Sequence, residues 1–265
     1  MHEGTSQPSL LIRDFVGRLR AGPMLGAWSS VGHPAVSTIL SRSGFDWLVL
    51  DAEHGMFSSD SIRACLDAAQ PTGIPTLVRV PANDPTILKT ILDLGPDGVV
   101  IPMVNTADDA RAAVAACRYP PDGRRGFGAG RGAVYGLEYA RYAAIANQAI
   151  AVIVQIEHVD AVANVEEIAR VPGLTGLFIG PTDLSASMGL LAQPGHPRMR
   201  EAITAVIQAG AGAGLPVGSF CGSEAEAVER IAAGARFVAW NNDLGLLAEA
   251  ASGSVARIRA ASTTR

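Results

Sequence analysis

Residues 151–185 read AVIVQIEHVDAVANVEEIARVPGLTGLFIGPTDLS, and this stretch decides the fold. Ala151–Glu157 is an apolar, β-branched run broken near its end by Gln155 and Glu157. Such a run suits a parallel strand buried on both faces. From Val159 to Arg170 the period changes, with apolar residues three and four apart and charges between them, which predicts a surface helix. Gly176–Ile179 is a second short apolar run, and it ends in Gly180-Pro181-Thr182-Asp183.

The same alternation extends in both directions. Apolar runs at Met24–Trp28, Trp47–Asp51, Thr76–Val80, Gly98–Pro102, Pro216–Phe220 and Phe237–Trp240 bring the predicted strands to eight. Helices are predicted over Ser59–Ala69, Asp84–Leu94, Thr106–Cys117, Arg198–Ala211, Ser223–Ala233 and Leu244–Ala250, with Asp84 as N-cap before Pro85. Eight strands alternating with helices in a chain of 265 residues predict a (β/α)8 TIM barrel of the α/β class, one domain over 1–265. Residues 1–9 are expected to form a loose tail, followed by a short helix at Leu10–Arg20. A doubly wound sheet is the alternative. It needs a G-x-G-x-x-G turn after the first strand, and none is there. The Gly126–Gly130 run GFGAG precedes no immediate helix and reads better as a flexible loop than as a dinucleotide site.

Aromatic residues are only 5% of the chain, so an aliphatic core of Val, Ile, Leu and Ala is expected. The net charge is -4 and no Lys/Arg cluster could track a phosphate backbone, which excludes nucleic acid as a partner. Three cysteines, far apart and without a C-x-x-C, favour a reducing, cytoplasmic setting. No basic segment followed by an apolar run marks a secretory leader. The Pro96–Val104 run is too short to cross a bilayer, so no membrane partner is expected.

In a barrel, chemistry sits at the C-terminal strand ends. Polar residues fall there repeatedly: Asp51-Ala-Glu53-His54-Gly55 after strand two, Arg79 in strand three, Gln155 and Glu157 in strand five, and Asp183 after strand six. Glu157 and Asp183 are 26 positions apart, one strand–helix–strand unit, which places them at neighbouring strand ends. Two carboxylates with water and a bidentate substrate suit Mg²⁺ or Mn²⁺. A salt bridge, or Asp183 capping a helix that starts at Leu184, would use the same residues structurally. Arg79 is placed either to clamp a carboxylate or enolate oxygen or simply to neutralise Asp51 or Glu157. His54 is a candidate general base if Asp51 or Asp93 orients it, and otherwise a satisfied turn residue. His158 is expected to point away from the mouth, and His33 to be a loop residue. The glycine-rich segment from Pro120 to Gly132, with Arg124 and Arg125, reads as a lid, a binding loop or a subunit contact.

Seven motifs in order carry a resemblance: Asp51-Ala-Glu53-His54-Gly55, Leu77-Val-Arg79-Val-Pro81, Ile91-Leu-Asp93-Leu-Gly95, Val100-Ile-Pro102-Met-Val104, Tyr119-Pro-Pro-Asp-Gly-Arg-Arg-Gly126, Gln155-Ile-Glu157 and Ile179-Gly-Pro-Thr-Asp183-Leu-Ser185. Together, from about Gly26 to about Leu247, the chain resembles the HpcH/HpaI aldolase family. The resemblance implies a class II pyruvate aldolase that needs a divalent cation (Mg²⁺, Mn²⁺ or Co²⁺) and is a homohexamer with helices exchanged between subunits. By the same resemblance Glu157 and Asp183 are the metal ligands, Arg79 steadies the keto and enolate oxygen, and His54 is the base. Asp93 is an acid near it, donated across a subunit contact. Gln155 lies near the 2-oxo acid, whose carboxylate meets the Gly180, Pro181 and Thr182 turn. The implied reaction is reversible aldol cleavage of a 4-hydroxy-2-oxo acid to pyruvate, or a close 2-oxo acid, and an aldehyde. Lys89 is the only lysine and sits on a predicted helix surface, which disfavours Schiff-base chemistry. A related barrel lyase acting on citrate-like or acyl-CoA substrates, and a non-catalytic binding or assembly barrel, are the alternatives. Three departures stand out: Thr182 where the family usually has Ala, His158 where it has Thr, and Trp240-Asn241-Asn242-Asp243 where many members read Gly-Ser-Asp.

Overall fold

A computed structural model describes residues 11–191, 193 and 195–263; the tail expected at residues 1–9 lies outside them. Eight parallel strands close into a barrel in sequence order, β8 pairing with β1. They are β1 (Met24–Ser29), β2 (Trp47–Asp51), β3 (Thr76–Arg79), β4 (Gly98–Ile101), β5 (Ala151–Ile156), β6 (Gly176–Ile179), β7 (Val217–Cys221) and β8 (Phe237–Asn242). Each lies within two residues of its expected bounds, because a run buried on both faces is hard to mistake.

The helices are α1 (Phe15–Ala21), α2 (Pro34–Leu40), α3 (Ser59–Ala69), α4 (Pro85–Asp93), α5 (Ala107–Cys117) and α6 (Tyr139–Ala149). They continue as α7 (Val159–Ala163), α8 (Val165–Ala169), α9 (Pro181–Ser187), α10 (Pro197–Ala213), α11 (Glu224–Ala232) and α12 (Asp243–Ser262). Capping decides several boundaries. Ser58, Asp84, Thr106 and Ser223 each accept a backbone N–H from the first turn of the helix that follows. The helix expected over Val159–Arg170 is two helices, because Asn164 leaves helical geometry and donates its amide to the Asn105 carbonyl at 2.9 Å. The last helix runs twelve residues beyond the expected Ala250.

The expectation of a wholly aliphatic core is corrected. Aliphatic side chains fill the layer between strands and helices. Inside the barrel, Trp47, Phe178 and Phe237 form an aromatic centre, and Phe15 of α1 closes it from below. Small strand residues make the room: a Cβ on Gly26 would lie 2.3 Å from the Trp47 ring. At the same N-terminal end, the buried Asp97 carboxylate accepts the backbone N–H groups of Arg13 and Thr76, tying the incoming chain to the start of β3.

Candidate active site

A cavity of about 380 Å³ opens at the C-terminal ends of the strands. His54, Arg79, Gln155, Gly180, Pro181, Thr182 and Asp183 all line it, joined by Asp51 and by residues of β1, β6, β7 and β8. Glu157 is 2% exposed. It packs against the Gly180 turn so closely that a Cβ there would stand 2.6 Å from Glu157 Oε2.

Arg79 leaves the end of β3 opposite Asp51 in the strand register. Its Nε and Nη2 donate to the two Asp51 oxygens at 2.9 and 2.7 Å, and its Nη1 lies 2.9 Å from Glu53 Oε2. The guanidinium also sits over the Trp28 ring, 5.0 Å from its centroid. Burial pushes the Asp51 carboxyl up, but the bonds from Arg79 and the backbone N–H groups of His54 and Glu53 outweigh this and hold it below the usual range. Asp51 is thus committed to Arg79 and meets His54 through the backbone, not the ring. The His54 imidazole has no hydrogen-bond partner among the described residues.

Glu53 is the residue that sequence reasoning passed over. Burial pushes its carboxyl up against the pull of Arg79 and His54, and the charges of Asp51 and Asp183 add to the rise. Its signal was present in Asp51-Ala-Glu53-His54, but which of these side chains faces Arg79 depends on the turn after β2. Asp93 is not brought to this cavity by its own chain. It ends α4 and pairs with Arg125 at 2.9 Å, beneath the Gly128–Gly130 segment.

Asp183 does not cap a helix. Pro181 starts α9, so Gly180 is the N-cap and Asp183 lies within the first turn. Glu157 accepts the Met103 N–H at 2.7 Å and a short bond from the Gln155 amide. Met103 reaches it from a left-handed backbone, φ 52°. Burial raises the Glu157 carboxyl, and the neighbouring charges of Glu53 and Asp183 raise it further. Gln155 Oε1 is buried without a hydrogen-bond partner. Asp51, Glu53 and Glu157 thus act on the one Arg79 guanidinium, and the Asp183 charge acts in turn on Glu53 and Glu157. Among the described residues no group of three or more His, Cys, Asp or Glu side chains is arranged around a metal position. The carboxylates of Glu157 and Asp183 fit instead a hard cation held by two protein ligands, with the remaining positions left to substrate and water oxygens.

The model of the HpcH/HpaI aldolase/citrate lyase family matches residues 24–250. The chain belongs to this family. It is 40% identical over 237 residues to the 4-hydroxy-2-oxovalerate aldolase of Rhodococcus jostii, covering 88% of this chain and 90% of that one. To the 5-keto-4-deoxy-D-glucarate aldolase of Shigella dysenteriae it is 39% identical over 226 residues, covering 85% and 88%. A crystal structure of an HpcH/HpaI aldolase/citrate lyase family protein from Burkholderia cenocepacia superposes with a TM-score of 0.89 at 37% identity, covering 93% of this chain and 99% of that one. The chain is accordingly an aldolase-type carbon–carbon lyase, and the non-catalytic reading falls away.

Two departures in this aldolase have structural reasons. His158 caps α7, accepting the Asp160 N–H at 3.2 Å, and does not line the cavity. At the end of β8, Asn241 takes a left-handed conformation with φ 57°, a geometry that asparagine tolerates after glycine. Asn242 then lines the cavity and caps α12, and the buried Asp243 accepts from the Ser29 hydroxyl and the Ser30 and Val31 N–H groups.

Proposed function

We propose that this aldolase cleaves a 4-hydroxy-2-oxo acid reversibly to pyruvate, or a close 2-oxo acid, and an aldehyde, using a divalent cation held by Glu157 and Asp183. The observation that carries this reading is the concentration of carboxylates around Arg79 at the mouth. A cation bound there supplies Lewis-acid polarisation of the 2-oxo group. The first turn of α9 offers the Thr182 and Asp183 backbone N–H groups to the substrate carboxylate, since Pro181 has none and helical N–H groups at this end lack internal partners. Arg79, held rigid by Asp51, Glu53 and Trp28, faces the oxygen on which enolate charge develops. His54 takes the C4 hydroxyl proton as the C3–C4 bond breaks and the aldehyde leaves, and a proton delivered to C3 of the enolate completes pyruvate. Gln155 orients Glu157 and keeps an acceptor oxygen toward the site. Asp93 would join only from a second copy of the chain.

A homo-oligomer, as in the hexamer implied by resemblance, is part of the proposal. It is supported by α12, whose Leu247, Val255 and Ile258 are exposed. A cytoplasmic setting is supported by three free, buried cysteines; no helix among the described residues is long and apolar enough to cross a membrane.

The test is pyruvate release from a panel of 4-hydroxy-2-oxo acids, before and after EDTA, with Mg²⁺, Mn²⁺ or Co²⁺ added back. We expect EDTA to abolish release and the metal to restore it, and Glu157→Gln or Asp183→Asn to lose both metal and turnover. Full turnover by metal-depleted enzyme would overturn the metal role. Product release dependent on coenzyme A would favour the acyl-CoA lyase reading.

A further inference from the structure

The cavity has two unlike sides. One holds the carboxylates and Arg79, whose guanidinium lies over the Trp28 ring. On the side of β7, β8 and the start of α12, Phe220 and Leu244 provide apolar surface and Ser30 and Asn242 provide polar atoms, with Trp28 between the two sides. The Asn242 amide is oriented by its cap: Oδ1 accepts the Gly245 N–H at 2.7 Å. The Nδ2 group is therefore turned away from the helix, and it has no partner among the described residues. The Ser30 backbone is held by Asp243, and its hydroxyl likewise has no partner. This side presents hydrogen-bonding groups without charge. Among the described residues Arg79 is the only Arg or Lys lining the cavity, and Asp51 and Glu53 already engage it. Within one protomer a second carboxylate on the substrate would therefore meet no unengaged Arg or Lys on this side and would face the carboxylates beside Arg79.

We infer that Asn242 and Ser30 select the aldehyde half of the substrate, and that this half is a small, uncharged hydroxyaldehyde. The inference rests on the aldol reading above. The Asn242 amide donates to a hydroxyl oxygen on the carbon chain beyond C4, and the Ser30 hydroxyl can donate or accept beside it. The aromatic and leucine side chains cover the intervening carbons. One neutral hydrogen bond at a partly open site corresponds to roughly tenfold in selectivity.

The experiment measures kcat/KM for addition of pyruvate to three aldehydes in metal-loaded enzyme: glycolaldehyde, propionaldehyde and glyoxylate. Exchange of the pyruvate methyl protons with deuterated solvent is followed in parallel without aldehyde. Glycolaldehyde should be favoured over both others by about tenfold or more. Asn242→Asp and Asn242→Ser both keep an oxygen that can cap α12 while removing the amide donor. Each should reduce the glycolaldehyde-to-propionaldehyde ratio about tenfold, and thermal unfolding shows whether the cap survives. Proton exchange with a preference for glyoxylate or propionaldehyde, or variant ratios equal to the parent's in folded protein, would overturn this inference and leave the aldol reading standing. Absence of proton exchange in the parent enzyme would overturn the aldol reading itself, and this inference with it.

Discussion

Arg79 shows how much one side chain's role depends on what holds it. Lysine at this position would keep the charge but could not bridge both Asp51 oxygens while reaching Glu53. Arg79→Lys should therefore lower kcat by about a hundredfold or more with an unchanged circular dichroism spectrum; a kcat within a few-fold of the parent's would remove Arg79 from the chemistry. Asp97, at the other end of the barrel, gives a test that does not involve activity. Burial pushes its carboxyl up to about 7, against the pull of the Arg13 and Thr76 N–H groups, from an ordinary value of 3.8. A carboxyl raised on folding binds its proton more tightly in the native state, so its contribution to stability is complete below about pH 4 and is lost as pH rises through about 7. The loss is at most about 4 kcal/mol for a shift of this size. Urea midpoints between pH 4.5 and pH 8 should record this decline in the parent, and Asp97→Asn should abolish that component while costing roughly 1–3 kcal/mol for an N–H left unpaired. Equal pH slopes in the two proteins would show that Asp97 does not titrate in this range.

At the scale of elements, the junction of β8 with α12 is the most heavily built. Asp243 satisfies the Ser29 hydroxyl and the Ser30 and Val31 N–H groups, so the start of the last helix holds the end of the first strand and the loop after it. Asp243→Ala should destabilise the fold by about 3 kcal/mol, since buried donors would lose their acceptor; a shift below about 1 kcal/mol in urea unfolding would mean that the loop is held by other contacts. The strands were legible in the sequence because each is a compact apolar run, several of them ended by a polar residue, as Asp51 and Arg79 show. Helices with strong caps, such as α3 after Ser58, were legible too. What could not be read was geometry set by turns. Proline at 181 moved the start of α9 upstream of Asp183, Asn164 divided a helix whose periodicity continues across it, and the turn after Asp51 brought Glu53 to Arg79. The interior rings were equally hidden, because a low aromatic content says nothing about where its few members gather.

For the molecule as a whole, α12 is the part least explained by its own chain. Of its twenty residues only Asp243 is buried, while Leu247 and Ile258 are 68% and 66% exposed. Sedimentation analysis should show a homo-oligomer, and Leu247→Asp with Ile258→Asp should shift it toward smaller species; a monomeric parent would overturn the proposed assembly. Asp93 should then matter only in the assembled state. The clasp at Asp97 lies at the opposite end of the barrel from Ser30, Asn242 and Leu244. Changes at those three positions therefore leave the Asp97 clasp and the Phe15 plug untouched. Such a separation lets new substrate preferences be sampled by mutation at the rim while the foundation stays constant, so a library at positions 30 and 244, with position 242 limited to the cap-forming residues Asn, Asp, Ser and Thr, should yield a high proportion of folded proteins with altered aldehyde choice.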